Sequence, residues 1–136
     1  MRLENQLCFP LYAASKEIVR HYKIFLDELD MTYTQYITMM VMWEHRELTV
    51  KELGEYLYLD SGTTSPVLKT LESKGWVERK RSETDERILN VILTPLGEKL
   101  QEKALSVPKN MAACVKLEPG EAAELYRILY KILNTL

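Results

Sequence analysis

Apolar residues recur at helical spacing along most of the chain, and one region in the middle breaks this pattern. Residues 3–27 combine an apolar stripe with charged residues facing outward, which predicts an amphipathic helix. A second helix is predicted from Thr32, a favourable N-cap, to about residue 44. Between residues 76 and 94, two β-prone runs flank a polar turn, which is typical of a hairpin. The pattern therefore predicts a mainly α-helical protein with one β-hairpin.

Residues 48–75 read as two short helices joined by a tight turn. Thr49 can cap the first helix, and Glu52 three residues later completes a capping box. The apolar stripe then breaks, and either Asp60 or Ser61 can cap the second helix. Two short helices that cross at such a turn form a helix-turn-helix.

The second of these helices begins with small hydroxylated residues instead of apolar ones. Such side chains are weak helix formers, but they allow a helix to approach a DNA groove and can bond phosphates or base edges. The alternative is a solvated first turn without a role in binding. We expect these residues of the helix to contact DNA: Ser61, Thr63, Thr64, Ser65 and Lys69.

The hairpin that follows is predicted to be a wing beside the helix-turn-helix. Arg87 lies near its tip and is expected to enter the minor groove, where negative potential is focused. Asp85 is placed to brace that guanidinium. The basic residues of the first strand, Arg79, Lys80 and Arg81, are expected to contribute to DNA binding. The alternative is an ordinary exposed hairpin whose charges have no function.

Proline marks the start of each C-terminal helix. Thr94-Pro95 is an N-cap followed by proline at the first helical position, and Glu118-Pro119 repeats the arrangement. The first of these helices is expected to run towards residue 116, with an interruption at Pro108.

Length and composition are those of one ordinary folded domain. The chain has 136 residues, of which 46% are hydrophobic and 28% are charged. No apolar run approaches the roughly 18 residues of a membrane helix, and the N-terminus lacks a signal-peptide pattern. We therefore expect a cytoplasmic protein without a membrane partner. The net charge of −2 does not favour nucleic-acid binding. The attraction to DNA would therefore have to come from the local basic residues of the wing.

Cys8 is the candidate reactive group near the N-terminus. Pro10 restricts the first turn, so the regular helix is expected to start near residue 9 or 10, which leaves Cys8 at the helix N-terminus. The helix dipole stabilises an anion there, and the thiolate is the reactive form of cysteine. Tyrosine hydroxyls can donate hydrogen bonds to a thiolate, and the available ones are Tyr12, Tyr22 and Tyr33. The alternative is a buried, inert cysteine.

The second cysteine, Cys114, is far from the first in sequence. This spacing is not a metal-ligand spacing, and His21 and His45 form no ligand pattern with the two thiols. We therefore predict no metal site and no cofactor. From its residue type alone, Cys114 reads as a small apolar residue of the last helices.

These motifs resemble the MarR family of winged-helix transcription regulators and, within it, the organic hydroperoxide resistance regulators. The resemblance covers nearly the whole chain. The matching residues are Leu7 to Phe9, Leu11-Tyr12, Tyr22, Leu29, Thr32-Tyr33, Tyr36, Leu53-Gly54, Leu59 to Thr63, Pro66, Leu68 to Gly75, Asp85 to Arg87 and Leu93-Thr94. Pro10 departs from the pattern of the subgroup and affects the local geometry around Cys8.

The resemblance implies a single domain spanning residues 1–136. Its terminal segments, about 3–27 and 95–136, would form a homodimer around winged helix-turn-helix units at about 32–94. It implies a repressor that binds a pseudo-palindromic operator in double-stranded DNA and releases it when organic hydroperoxide oxidises Cys8. It also implies that Tyr22 and Tyr33 hold the thiol, with Tyr12 alongside.

The resemblance further implies a role for Cys114, because some members of the subgroup carry a second, resolving cysteine at a comparable place. The oxidised Cys8 would then form a disulfide with Cys114 of the partner subunit.

Two other functions are compatible with the same residues. A MarR-type regulator could sense an apolar ligand, with both cysteines incidental. The methionine-rich face around Met39 and Met40 either fills the core or also walls an apolar pocket suited to an organic peroxide. A thiol peroxidase could use both cysteines catalytically, but this function leaves the wing unexplained. We therefore expect a regulator and not an enzyme.

Overall fold

The computed structural model describes residues 2–136, which form seven α-helices and three short strands. In chain order they are α1 (Cys8–Leu26), α2 (Tyr33–His45), β1 (Glu47–Thr49), α3 (Val50–Leu57), α4 (Ser61–Ser73), β2 (Val77–Arg81), β3 (Leu89–Leu93), α5 (Pro95–Ala104), α6 (Ser106–Cys114) and α7 (Pro119–Leu133). Short 3₁₀ turns at Leu3–Asn5 and Asp27–Leu29 flank α1. The predicted mainly α-helical winged fold is confirmed. Within the described residues, each helix is too short or too polar to cross a membrane.

Side-chain caps set the helix-turn-helix formed by α3 and α4. Thr49 Oγ1 accepts the amide of Glu52 at 3.1 Å, and the Glu52 carboxylate accepts the Thr49 amide at 2.8 Å. Asp60 caps α4 by accepting the Thr63 amide at 2.8 Å. These bonds satisfy amides that a helix start otherwise leaves without a partner. The predicted capping box is confirmed, and Asp60 is the cap of the second helix.

Close backbone approach in the turn between α3 and α4 depends on Gly54. A Cβ atom at this position would lie 2.8 Å from the main-chain oxygen of Leu59. A larger residue would therefore push the turn away from α3 and change the angle between the two helices.

The predicted hairpin forms a three-stranded antiparallel sheet with one additional strand. The order is β1-β3-β2, and Leu48 of β1 faces Val91 of β3 in the register. Both side chains are buried. Strand β1 could not be predicted from the sequence, because three residues are too few to show an alternating pattern.

The core lies where α2, α3, α4 and the sheet meet. Its fully buried side chains include Leu26, Met39, Met42, Leu53, Leu68, Leu71, Val77 and Val91. The methionine face was predicted around Met39 and Met40. Met40 is instead exposed, and Met42 takes the inner position beside Met39. These methionines therefore fill the core and do not wall a ligand pocket.

The C-terminal region breaks three residues earlier than predicted. Helix α5 starts at Pro95, as expected, with Thr94 Oγ1 accepting the Gly97 amide at 3.0 Å. The break falls at Leu105 instead of Pro108. A proline ring clashes with the carbonyl four residues before it, which here belongs to Ala104, the last residue of α5.

Gly97 of α5 lies close to the backbone of Trp76, the residue before β2, and we predict that Gly97→Ala destabilises the protein. A Cβ atom would lie 2.1 Å from the main-chain oxygen of Trp76, and the Gly97 carbonyl also accepts the indole N–H of Trp43 at 2.9 Å. The backbone would have to shift, which costs about 1–3 kcal/mol of unfolding free energy, as overpacking does.

Urea denaturation measures this loss, and Gly120→Ala is the matched control. A Cβ atom at Gly120 meets nothing within 4 Å, so its unfolding free energy should stay within about 0.5 kcal/mol of the wild type. Equal stability of the two variants would show that α5 does not depend on this close approach.

Candidate functional site

The exposed side of α4 carries the short polar residues that the sequence analysis assigned to DNA. Ser61, Ser65 and Lys69 follow one another at intervals of one helical turn, and all three are exposed. Leu68 and Leu71 hold the opposite side of the helix in the core. Thr63 is also exposed. The helix therefore presents a narrow polar surface to solvent along its first two turns.

Thr64 does not belong to this surface, which corrects its predicted role. Its side chain is 2% exposed, and its hydroxyl donates to the Asp60 carbonyl at 2.8 Å. Thr64 also packs beside Gly54, because a Cβ atom added to that glycine would lie 3.7 Å from Thr64 Oγ1. Thr64 therefore closes the start of α4 onto α3 and is not available to DNA.

Arg79 fastens the wing to α4, which also corrects its predicted role. Its guanidinium donates to Glu72 Oε2 from Nη2 at 2.8 Å and from Nε at 3.1 Å. Its amide donates to Glu72 Oε1 at 3.1 Å. These hydrogen bonds lower the pKa of Glu72. Arg79 is half-buried and committed to this pair, so it holds the wing and the recognition helix together.

The tip of the wing is held by local hydrogen bonds. Arg81 Nη1 donates to the Glu86 carbonyl at 2.6 Å and joins the two sides of the hairpin. Ser82 Oγ accepts the amides of Thr84 and Asp85 at 3.3 and 3.4 Å. Arg81 therefore supports the tip, whereas Lys80, on the same strand, keeps an exposed ammonium 3.5 Å from Glu78.

Arg87 projects from this tip with its guanidinium already oriented. Nε and Nη2 each donate to a different Asp85 oxygen at 3.0 Å, and the Arg87 amide donates to Oδ1 at 3.0 Å. The side-chain hydrogen bonds from Arg87 lower the pKa of Asp85, and Asp85 raises the pKa of Arg87. The Arg87 side chain is 90% exposed. The predicted bracing role of Asp85 is confirmed.

Cys8 is the first residue of α1, so the helix starts one or two residues earlier than predicted. Proline is tolerated in the first turn, where the amides have no partner inside the helix, and Pro10 lies in that turn. The Cys8 thiol is free and exposed. Tyr12 is one turn away and 60% exposed, with the Lys16 ammonium 5.3 Å from its ring centre.

The other two predicted thiolate donors belong to a separate cluster of tyrosines. Tyr22 packs against Tyr33 with ring centres 4.8 Å apart and against Tyr36 at 5.9 Å. Tyr22 follows Cys8 by 14 positions in the same helix, which corresponds to about 21 Å at 1.5 Å per residue. Within one chain, Tyr22 and Tyr33 therefore do not reach the Cys8 thiol.

Burial disfavours the ionised form of these phenols. It raises the pKa of Tyr22, Tyr33 and Tyr36 above the ordinary value of 10.0, and neighbouring rings of the cluster add to the effect for Tyr33 and Tyr36. Each hydroxyl can therefore act as a hydrogen-bond donor at neutral pH.

Cys114 is the last residue of α6, with an exposed thiol that donates to the Asn110 carbonyl at 3.5 Å. Four residues separate it from α7, which begins at Pro119. Asn110 lines a small cavity together with Ile24 and Phe25 of α1. Because Ile24 is about 24 Å along α1 from Cys8, the two thiols of one chain lie far apart.

Within residues 2–136, no group of three or more His, Cys, Asp or Glu residues could hold a metal ion.

Comparison with known proteins identifies the family. A family model described as transcriptional regulator SarA/Rot matches residues 20–104. The organic hydroperoxide resistance transcriptional regulator of Bacillus subtilis is 48% identical over 136 residues, which cover 100% of this chain and 92% of that protein. The chain belongs to the MarR/SarA family of winged-helix transcription regulators. The predicted family is confirmed, and so is the prediction of a regulator instead of an enzyme.

Solved structures of AbfR, a protein of Staphylococcus epidermidis, show how this MarR/SarA chain compares with different redox forms of one relative. Reduced AbfR bound to DNA is 35% identical, covers 99% of this chain and 92% of its own, and has a TM-score of 0.85. Overoxidised AbfR bound to DNA is 36% identical, covers 99% of this chain and 95% of its own, and has a TM-score of 0.81. The disulfide form is 36% identical, covers 98% of this chain and 93% of its own, and has a TM-score of 0.69. The fold described above is thus more similar to the reduced, DNA-bound form than to the disulfide form.

Two contributors to the site of this MarR/SarA regulator were missed from the sequence. Glu72 lies on α4 and its partner Arg79 lies on β2, so no helical spacing could pair them. Tyr36 is one of the residues that carry the family resemblance, but its contact with Tyr22 depends on how α1 and α2 pack.

We predict that Arg87→Ala weakens operator binding by about 5- to 150-fold, the range of a good groove contact, without loss of folded structure. Fluorescence anisotropy with operator DNA measures this change. Arg127→Ala is the matched control, because Arg127 makes a similar carboxylate pair with Glu124 at 2.6 Å but lies on α7. Equal affinities of the two variants would exclude the wing arginine from DNA binding.

We also predict that the protein loses stability above pH 10, partly through the tyrosine cluster. In the unfolded chain these phenols ionise near the ordinary pKa of 10.0, whereas in the folded chain they ionise later. Their stabilising contribution is complete below pH 10 and is lost as the pH rises through the folded values. Urea denaturation across this range should show a smaller alkaline loss for Tyr33→Phe than for the wild type. Parallel curves would contradict the prediction.

Proposed function

We propose that this chain is a redox-sensing repressor that binds a pseudo-palindromic operator as a homodimer and releases it when organic hydroperoxide oxidises Cys8. The observation that carries the proposal is the free and exposed thiol of Cys8 at the first residue of α1, because only an accessible thiol can react with a hydroperoxide. The close relationship to a regulator of organic hydroperoxide resistance supports the same oxidant. The relatives are bacterial proteins, and bacterial DNA lies in the cytoplasm. We therefore propose that this protein acts in the cytoplasm.

The terminal helices support a homodimer. None of the α7 residues, 119–133, is buried, and α1 buries Leu26 alone among the described residues. Their large apolar side chains with substantial exposure include Leu7, Phe9, Leu11, Ile18, Ile24, Leu125, Ile128 and Leu133. An amphipathic helix gains stability by burying its apolar face against another element. A second copy provides that element, and two-fold symmetry then presents two reading heads to the two halves of an operator.

The dimer also resolves the separation between the thiol and its predicted hydrogen-bond donors. Tyr22 is about 21 Å from Cys8 along one helix, so the donors to this thiol would be Tyr22 and Tyr33 of the partner subunit. Their raised pKa values keep both hydroxyls protonated. On this proposal a complete sensor site exists only between two subunits.

The oxidation proceeds in two steps, formation of a sulfenic acid and then of a disulfide. The Cys8 thiolate attacks the terminal oxygen of the hydroperoxide, the O–O bond breaks, and the organic part leaves as an alcohol after taking up a proton. Cys8 is then a sulfenic acid. The thiolate of Cys114 of the partner subunit attacks the Cys8 sulfur, the S–O bond breaks, and the departing hydroxide takes up a proton and leaves as water. The product is an intersubunit disulfide that cellular thiols can reduce.

We infer that disulfide formation is the step that releases DNA. A disulfide requires Cα atoms within about 7 Å, whereas a sulfenic acid adds one oxygen to an already exposed thiol. The AbfR structures support this inference, because the overoxidised form is described as bound to DNA. The disulfide form of AbfR is also the one that differs more from the fold described here, with a TM-score of 0.69 against 0.85 for the reduced form.

A second candidate function is release by a non-covalent apolar ligand. One cleft of about 540 Å³ favours it, with Val19, Met31 and Tyr33 as apolar walls. Lys16, Arg20 and Lys23 also line this cleft, together with Asp27, which pairs with Lys23 at 2.7 Å. With three cationic groups against one carboxylate, the lining suits an apolar anion. Cys8→Ser separates the two functions, because it abolishes a response to peroxide and leaves a response to such a ligand unchanged.

Gel-shift experiments with the promoter of its own gene test the proposal. Reduced wild-type protein should bind, and cumene hydroperoxide should release it. Cys8→Ser should stay bound under peroxide because it cannot start the reaction. A wild-type complex that survives peroxide would contradict redox sensing.

A non-reducing gel tests the role of Cys114 with the same samples. Oxidised wild-type protein should migrate at about twice the 15.9 kDa chain mass and return to the monomer position with a thiol reductant. Cys114→Ser should lose the dimer band and still form sulfenic acid, whereas Cys8→Ser should form neither. Oxidised wild-type protein that remains at the monomer position would show that Cys114 is not an intersubunit resolving thiol.

A further inference from the structure

An ion pair joins the corner between α1 and α2 to the end of the recognition helix. Lys74 Nζ donates to the main-chain carbonyl of Asp30 and to its Oδ2 at 2.9 Å. Lys74 is the C-cap of α4, and Asp30 ends the 3₁₀ turn that follows α1. The two residues are 44 positions apart in the sequence. The pair therefore connects two parts of the fold that the chain itself does not connect directly.

Lys74 is held more firmly than most surface lysines. Its ammonium lies 4.7 Å from the centre of the Trp76 ring, which attracts a cation, and its side chain is 22% exposed. Exposed ion pairs contribute little because both side chains must be ordered. Here the stem is already packed, so the ammonium loses little additional freedom when it binds Asp30.

Asp30 has a backbone conformation that depends on its surroundings. Its φ of 53° and ψ of 46° lie in the left-handed region, which residues other than glycine adopt at a cost, although aspartate tolerates it better than most. The conformation turns the chain from α1 into α2 and leaves the Asp30 carbonyl bonded to Lys74. A shift of this corner would therefore change the contact with α4.

The corner is adjacent to the tyrosine cluster. Tyr33 follows Asp30 by three positions as the first residue of α2, and its ring packs on Tyr22 at 4.8 Å. At the other end of the contact, α4 has 13 residues and is therefore about 20 Å long. Because a helix is stiff, movement at Lys74 tilts the end that carries Ser61.

We propose that the Asp30–Lys74 contact is the positioning link through which the tyrosine-bearing corner sets the orientation of the recognition helix. The contact is made in the reduced, DNA-binding form and is lost when the disulfide draws the corner away. This inference rests on the proposed redox function, because the tyrosines have to respond to the oxidation state of Cys8 of the partner subunit.

A purely structural role and a coupling role give different results. If the pair only stabilises the fold or adds positive charge, its removal weakens DNA binding equally before and after oxidation. If it couples the sensor to α4, its removal weakens binding by the reduced protein and has no effect on the oxidised protein, in which the contact is already absent. The ratio of the two dissociation constants distinguishes these roles.

The test uses Lys74→Met, which keeps the aliphatic stem over Trp76 and removes the ammonium. Lys99→Met is the matched control, since it removes one positive charge from an exposed position of α5, outside the surface assigned to DNA. Anisotropy with the labelled promoter fragment gives dissociation constants for reduced and peroxide-treated protein. We expect the oxidised-to-reduced ratio of Lys74→Met to be about fivefold smaller than that of Lys99→Met, as for loss of one favourable surface ion pair.

Asp30→Asn provides a second variant, because asparagine also accepts the left-handed conformation and keeps the main-chain acceptor. It should reduce the ratio less than Lys74→Met, and the double variant should show no further reduction. Non-reducing gels should show equal disulfide formation in all variants. If Lys74→Met and Lys99→Met give equal ratios, the coupling is refuted. If wild-type protein keeps its operator after peroxide, the proposed redox function fails as well, so the two failures can be distinguished.

Discussion

The pair between Glu72 and Arg79 is the interaction on which DNA reading by this fold depends. A recognition helix and a wing can fit one duplex only if their relative position is fixed. The bidentate guanidinium contact, with its N–O distances of 2.8 and 3.1 Å, and the additional amide bond connect α4 to β2 directly. Because both reading elements are fixed to each other, a change at one point of α4 moves the whole unit. This rigidity allows a small displacement elsewhere to have a large effect on binding.

On the proposed redox function, the sensor lies apart from this reading unit. Cys8 lies at one end of α1, and the tyrosine cluster lies about 21 Å away, towards the other end of the same helix. A single chain would therefore have the reactive thiol without phenol donors and the phenol donors without a thiol. Dimerisation would combine them twice, once at each end of the paired helices. Sensing would then require the dimer, because dissociation of the subunits would separate the residues of both sensor sites.

Local features of the sequence predicted most of the fold, and contacts between elements were the part it could not provide. Thr49, Glu52 and Asp60 act within a few residues of each other, so their spacing alone revealed the caps. Asp85 and Arg87 were paired correctly for the same reason. Thr64 and Arg79 were misassigned because hydroxyl and guanidinium groups suit both DNA and internal partners. Their burial depends on how α4 packs against α3 and β2, and that packing has no local pattern. The three-residue strand β1 was missed because it is too short for periodicity to detect.

The energetics of switching favour a covalent signal over a simple change of polarity at Cys8. Moving an equilibrium from 1:99 to 99:1 requires about 5.5 kcal/mol of difference between the two states. A hydrogen bond gained or lost by one oxygen contributes about 0.5–1.5 kcal/mol, which is too little for an exposed thiol to act alone. A disulfide is different because its geometry excludes every arrangement in which the two Cα atoms are more than about 7 Å apart. If the reduced, DNA-binding arrangement keeps the thiols of the two subunits beyond this limit, the bond is incompatible with operator binding. The oxidant then supplies the free energy of the change, and the protein needs only a corner and a helix that move together.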